Sequence, residues 1–195
     1  MNPHKVTEDF EEAIARYCGS EYAVSCTSCT SAILLCCVYM KVEEVEIPKY
    51  TYVGVAQSIL NAGGKIRFRD ESWSGAYQLK PYPIMDSARR LCAGMHERGM
   101  FTCLSLHVSK HLGVDQGGVI LCDDRDAAET LKRMRFDGRR AGIPPYDDDF
   151  IRGFHVYLSP NVAAQALWRL SFLPEDNPDL PNSYYSDLSK AKIFQ

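Results

Sequence analysis

The stretch SLHVSKHLGVDQGGVI, residues 105–120, places a single lysine, Lys110, between a serine–histidine run and a glycine pair. The apolar runs on either side, MFTCLSL (100–106) and GGVILCDD (117–124), read as two buried strands, so Lys110 sits on the loop between them. A lysine held there loses part of its hydration shell, which favours the neutral amine that attacks an aldehyde. Alone, a lysine is most often a surface charge. Its partners have to come from elsewhere in the chain.

Outward from this loop, helices alternate with strands. VTEDFEEAIARYCG (6–19) has Phe10, Ile14 and Tyr17 at helical spacing, Thr7 as a candidate cap and Gly19 as a stop. CTSCTSAILLCCVYM (26–40) starts polar and turns apolar, as expected of a capped helix buried on all sides. VEEVEIPKYTY (42–52) predicts a strand ending at Pro48, VGVAQSILNAGG (53–64) a helix, and KIRFRD (65–70) another strand. YPIMDSARR (82–90) reads as a short strand running into a polar turn, and DRDAAETLKRMRFDG (124–138) as a helix with Ala128, Leu131 and Met134 facing inward. GIPPYDDDF (142–150) is a loop, and SPNVAAQALWRLSFLP (159–174) a helix with Ser159 as cap and Pro160 in its first turn. The pattern predicts an α/β domain with a mostly parallel or mixed sheet over residues 1–170. The polar, proline-rich residues 171–195 are expected to lie as a tail across that domain or across a partner subunit.

Composition narrows the function classes. The 195 residues suffice for one sizeable core. A net charge of −3 with short, scattered basic clusters offers no electrostatic stripe for nucleic acid. No run is apolar enough to span a bilayer, and MNPHKVTEDFEEA has no signal-peptide core, so a cytoplasmic protein is expected. Several of the eight cysteines lie in apolar runs, which suggests buried thiols more than a disulfide framework. Cys26 and Cys29 form a CxxC, open to a redox or half-zinc reading. No second pair or spaced histidine completes four ligands, so no metal is expected.

In open α/β folds, ligands gather beyond the carboxyl ends of strands. Four short stretches fall there: SCTSCT before a helix, and YTY, IMDSA and SLHVSK after strands. Ser28, Cys29 and Thr30 can cap a helix or hold a phosphate at its N-terminus. Tyr52 can stack on a flat ring or fill core. Asp86 can be a turn aspartate or the partner of a protonated ring nitrogen. Together with Lys110 they supply what pyridoxal 5′-phosphate requires: anion-binding amides, a stacking surface, an acid partner and an amine.

With these residues in order, the chain resembles the DegT/DnrJ/EryC1/StrS family of pyridoxal-phosphate sugar aminotransferases. The similarity runs through Phe10, Ala13, Tyr17, Gly19, Tyr22, Ala23 and Val24, then Ser28, Thr30, Ala32 and Leu35. It continues in Ile47, Pro48, Tyr50, Thr51 and Tyr52, in Met85, Asp86 and Ala88, in Ser105, His107, Lys110, Gly117 and Gly118, in Arg135, Gly138 and Arg139, and in Gly153, His155, Tyr157, Ser159 and Ala163. It covers about residues 6–170. It implies the aspartate aminotransferase-like fold (pyridoxal-phosphate transferase fold type I), here a truncated large domain. WSGAYQLKPY (73–82) bridges where the family carries a longer segment.

The resemblance also implies roles. Ser28, Cys29 and Thr30 would hold the phosphate, with Cys29 standing where the family has glycine. Tyr52 would stack on the ring, Asp86 pair with its nitrogen, Arg89 approach its hydroxyl, Ser105 reach the phosphate, and Lys110 form the Schiff base. Related dehydratases have histidine at that last position. His155 stands where an asparagine crosses to the neighbour's cofactor in a homodimer with shared sites, and Tyr157 where arginine is usual. The implied reaction moves an amino group from glutamate or glutamine to a keto-sugar or similar carbonyl. The shortened chain keeps two alternatives open: another reaction on the same cofactor (elimination, decarboxylation or racemisation), or an inactive scaffold.

Overall fold

The computed structural model describes residues 4–182 and 184–194. The elements follow in the order α1 (Lys5–Cys18), β1 (Tyr22–Cys26), α2 (Cys29–Tyr39), β2 (Glu44–Pro48), α3 (Val53–Ala62), β3 (Lys65–Arg69), β4 (Tyr77–Gln78), β5 (Ile84–Asp86), β6 (Phe101–Ser105), β7 (Gly118–Cys122), α4 (Arg125–Met134) and α5 (Pro160–Leu170). In α1, Phe10, Ile14 and Cys18 recur every four residues and are fully buried, and left-handed Gly19 ends the helix. The cap differs from the sequence expectation. His4 is the N-cap, and Thr7 lies inside the first turn, buried. Ser159 caps α5 with Pro160 behind it, as the sequence predicts, and Asp124 caps α4 by accepting the Ala127 N–H at 2.8 Å.

The main sheet is mixed, in the order β1-β7-β6-β5-β4. β7 runs antiparallel to both β1 and β6, β5 is parallel to β6, and β4 is antiparallel to β5. β2 and β3 form a separate parallel pair, joined to the end of β4 by an antiparallel bridge between Glu46 and Lys80. β1 and the two-residue β4 escaped the sequence reading. Helices cover both faces, so successive strand residues alternate between two cores. Ile120 and Cys122 face the α2–α3 side with Val24 and Ile33, whereas Val119 and Leu121 face the α1–α5 side with Phe10 and Ala163.

One buried ion pair ties the layers together. Glu11 of α1 accepts hydrogen bonds from the Ser25 N–H at 2.9 Å and the Ser25 hydroxyl at 2.8 Å, and pairs with Arg135 beyond α4. Lys132 reaches its other oxygen at 3.2 Å. Burial pushes the Glu11 carboxyl up, but the two cations and these hydrogen bonds outweigh it, and the net shift is down.

The tail lies across its own domain. Asn177 donates to the Leu91 carbonyl and the Tyr17 hydroxyl, both at 2.9 Å, and Asp179 pairs with Arg90. Further on, Leu188 is buried in the α2–α3 core and donates to the Lys49 carbonyl at 3.0 Å. Among the described residues no helix is long and apolar enough to cross a membrane. All eight cysteines are free thiols, seven of them buried.

Candidate active site

Strand direction decides where chemistry can gather. Given the pairings above, β1, β2, β5 and β6 point the same way, so their carboxyl ends lie along one edge of the sheets. The stretches after them converge on a cavity of about 650 Å³ lined by Ser28, Cys29, Thr30, Tyr52, Asp86, Arg89, Ser105 and Lys110. Eight of the nine residues picked from the sequence therefore share one pocket. The ninth, His155, is exposed elsewhere on the chain, where its Nδ1 meets Asp137 at 2.8 Å.

The anion-binding turn is built from β1 into α2. Ser28 is extended and its hydroxyl accepts the Ser31 N–H at 3.0 Å, capping the helix. This turn presses on the first residue of β7. A Cβ at Gly118 would lie 2.3 Å from the Ser28 carbonyl and 2.5 Å from the Cys29 nitrogen, so only glycine permits the approach. Cys29 occupies the first helical position, and its buried side chain packs against the Asp86 side of the cavity. Its thiol lies 3.8 Å from Asp86 Oδ1 and 3.6 Å from the Cys103 carbonyl.

Asp86 ends β5 and is only 5 % exposed. Burial raises its pKa, opposed by the Ala88 N–H at 3.0 Å, the Tyr77 phenol, Lys110 and the Cys29 thiol. A carboxylate so placed is short of positive charge. Lys110 follows β6 in a tightly folded loop. Its N–H bonds the His107 carbonyl at 2.8 Å, and a Cβ at left-handed Gly113 would meet the Val108 carbonyl at 2.9 Å. Burial lowers the Lys110 pKa, with Arg89 next in the same direction and Asp86 opposing. Tyr52 stands ahead of α3, 56 % exposed, with its ring folded over Gly54.

Sequence reasoning missed Trp73, Tyr184 and Tyr185, which line the same cavity. It also missed Tyr77, behind Asp86. The only local signal was an aromatic pair in an otherwise polar tail. A second cavity of about 650 Å³ lies beside Glu11, Lys132 and Arg135, which pair with one another.

This arrangement has relatives. Residues 2–83 match the DegT/DnrJ/EryC1/StrS aminotransferase family. The UDP-4-amino-4,6-dideoxy-N-acetyl-beta-L-altrosamine transaminase of Campylobacter jejuni is 21% identical over an alignment of 243 residues, covering 97% of this chain and 64% of the relative. The chain thus spans under two thirds of that protein. The alignment exceeds the 195 residues available, so the relative carries internal segments absent here. Among solved structures, a sugar aminotransferase from Micromonospora echinospora superposes with a TM-score of 0.74 at 17% identity, over 86% of this chain and 60% of its own. A Bacillus subtilis protein solved with bound cofactor PMP gives 0.70 at 18% identity, over 86% and 48%. These likenesses establish the fold as the α/β architecture of fold-type-I transferases, a mixed sheet flanked by helices. The N-terminal segment, residues 2–83, thus matches the DegT/DnrJ/EryC1/StrS aminotransferase family, and the chain shares its fold with these solved aminotransferase structures.

Proposed function

We propose that the pocket binds pyridoxal 5′-phosphate and that the protein is an aminotransferase, moving an amino group from glutamate or glutamine to a keto-sugar or similar carbonyl acceptor. The observation that carries this reading is the pairing, in one cavity, of a buried carboxylate lacking a full countercharge with a half-buried lysine of depressed pKa. A scaffold needs neither group.

The donor set fits such a cofactor. The amides at the start of α2, with Ser28, Thr30 and Ser105, suit a phosphate dianion. The exposed Tyr52 face suits a flat ring, and Asp86 suits a protonated ring nitrogen. Bound there, the cofactor supplies an aldehyde and an electron-withdrawing ring. Lys110 would be the amine that holds it, through that aldehyde. Lys110, half-buried beside Asp86, would be the base placed to take up a proton from a bound substrate and hand it on. Asp86 would pair with the ring nitrogen and favour its protonated form. Cys29 and Tyr77 keep Asp86 in place.

A half-reaction tests the reaction type. Protein loaded with pyridoxal phosphate and mixed with glutamate, with no acceptor present, should release a stoichiometric amount of 2-oxoglutarate and stop. Release of ammonia or carbon dioxide, or racemised glutamate, would reassign the chemistry on the same cofactor.

A further inference from the structure

The pocket's outer side is built by residues distant in sequence. Tyr185 stacks on Trp73 with ring centroids 6.1 Å apart and planes 22° apart, and its hydroxyl accepts from Arg89 Nε at 3.1 Å. Trp73 is fixed in turn. Its indole N–H donates to the Tyr50 carbonyl at 2.9 Å, its ring packs on Tyr77 with centroids 4.8 Å apart, and its carbonyl accepts from Asn182 at 2.6 Å. The tail is pinned on both sides of Tyr185. Upstream, both Asp179 oxygens meet Arg90, at 2.8 and 2.7 Å, and Leu180 donates to the Arg89 carbonyl at 2.9 Å. Downstream, Leu188 is buried and bonded to Lys49.

A chain segment held at two ends, with an aromatic ring locked between a guanidinium and an indole, is a preorganised wall. Arg89 matters twice. It closes this wall and it faces the cavity that contains Lys110. We propose that Tyr185, latched by Arg89 and stacked on Trp73, is a specificity-determining residue that limits the size of the substrate reaching Lys110. This rests on the cofactor reading above, and goes beyond it by assigning substrate selection to the tail. Among the keto-sugars, similar carbonyl compounds and amino donors of that reading, the wall favours the compact ones. A bulky group beyond the reacting carbon must displace the Tyr185 ring to enter.

The test uses the full chain and equilibrium binding, not turnover. The probes are phosphopyridoxyl-L-alanine and phosphopyridoxyl-L-tryptophan, stable adducts that carry the cofactor plus a small or a large substrate side chain. The chain has two tryptophans, so Trp168→Phe leaves Trp73, in the pocket wall, as the sole fluorescent reporter. In that background the alanine adduct should bind at least about tenfold more tightly than the tryptophan adduct. Tyr185→Ala should erase most of that preference by strengthening the large adduct. Asp179→Ala, which releases the upstream anchor, should do the same in part, and Tyr185→Phe, which keeps the ring, should retain the preference. If both adducts bind and Tyr185→Ala and Asp179→Ala leave their ratio unchanged, the wall has no selective role while the cofactor reading stands. If neither adduct binds the parent protein, the cofactor reading fails and the proposal falls with it.

Discussion

Tyr77 stands opposite Asp86 in the β4–β5 register, and its phenol bonds both to that carboxylate and, at 2.6 Å, to Thr51. The hydroxyl is buried with the carboxylate, so its donation is of the charge-assisted kind. Tyr77→Phe removes the donor and keeps the packing against Trp73. About 1.5–3 kcal/mol of support for the ionised carboxylate is lost, which corresponds to a drop in turnover of at least about tenfold. The discriminating readout is the pH profile of the cofactor's visible band. It should shift in Tyr77→Phe, whereas a purely structural residue would lower Tm and leave that profile in place.

Asp86 illustrates a cost held in place for function. Its folded pKa is raised by burial, so between the unfolded and folded values the native state binds the proton more readily than the unfolded chain. The penalty for its charge is absent below the unfolded carboxylate range, grows as pH rises through the folded value and stays constant above. Asp86→Asn should therefore hold or raise the Tm of the cofactor-free protein at neutral pH, with the difference vanishing in acid. The same variant should cut turnover severely. Thermal melts at two pH values, beside an activity assay, check both signs.

The Glu11–Arg135 pair behaves in the opposite sense. Its lowered carboxyl pKa contributes stability that is present above the unfolded carboxylate range and is lost as pH falls through the folded value. Removing one partner leaves the other charge buried, so Glu11→Gln should destabilise at neutral pH by about 3–5 kcal/mol. The loss should shrink on acidification. Urea unfolding at neutral and acid pH measures this. An unchanged midpoint would mean that the pair carries no net stability.

The convergence of the site residues on one cavity was legible in the sequence because they lie at strand ends. Lys110 and Asp86 each follow an apolar run, and a polar group there has a place to meet others. Capping was less legible. Thr7 is a good capping residue by type, yet the helix begins a turn earlier at His4 and buries the threonine side. β4 is two residues long and exists through its pairing with β5, so no periodicity announces it. Tyr185 was invisible for a similar reason. Its role comes from Arg89, 96 residues away, and from Trp73, and local pattern carries no information about either.

His155 provides a test of assembly. It lies outside its own chain's pocket and pairs with Asp137, an arrangement compatible with service at a neighbour's site. We propose a homodimer with shared sites. Lys110→Ala and His155→Ala proteins should each be inactive, and subunit exchange between them should restore activity at one site per mixed dimer. A fully active monomer would rule this out. Proven exchange without recovery would remove His155 from the partner's site.

The most direct measurement is chemical trapping of the amine itself. Protein incubated with pyridoxal phosphate should develop a long-wavelength absorbance band, and borohydride should then fix the cofactor on one lysine. The account predicts that peptide mapping finds the label on Lys110, and that Lys110→Ala abolishes both band and label. A label on any other lysine, or no band at saturating cofactor, would contradict it.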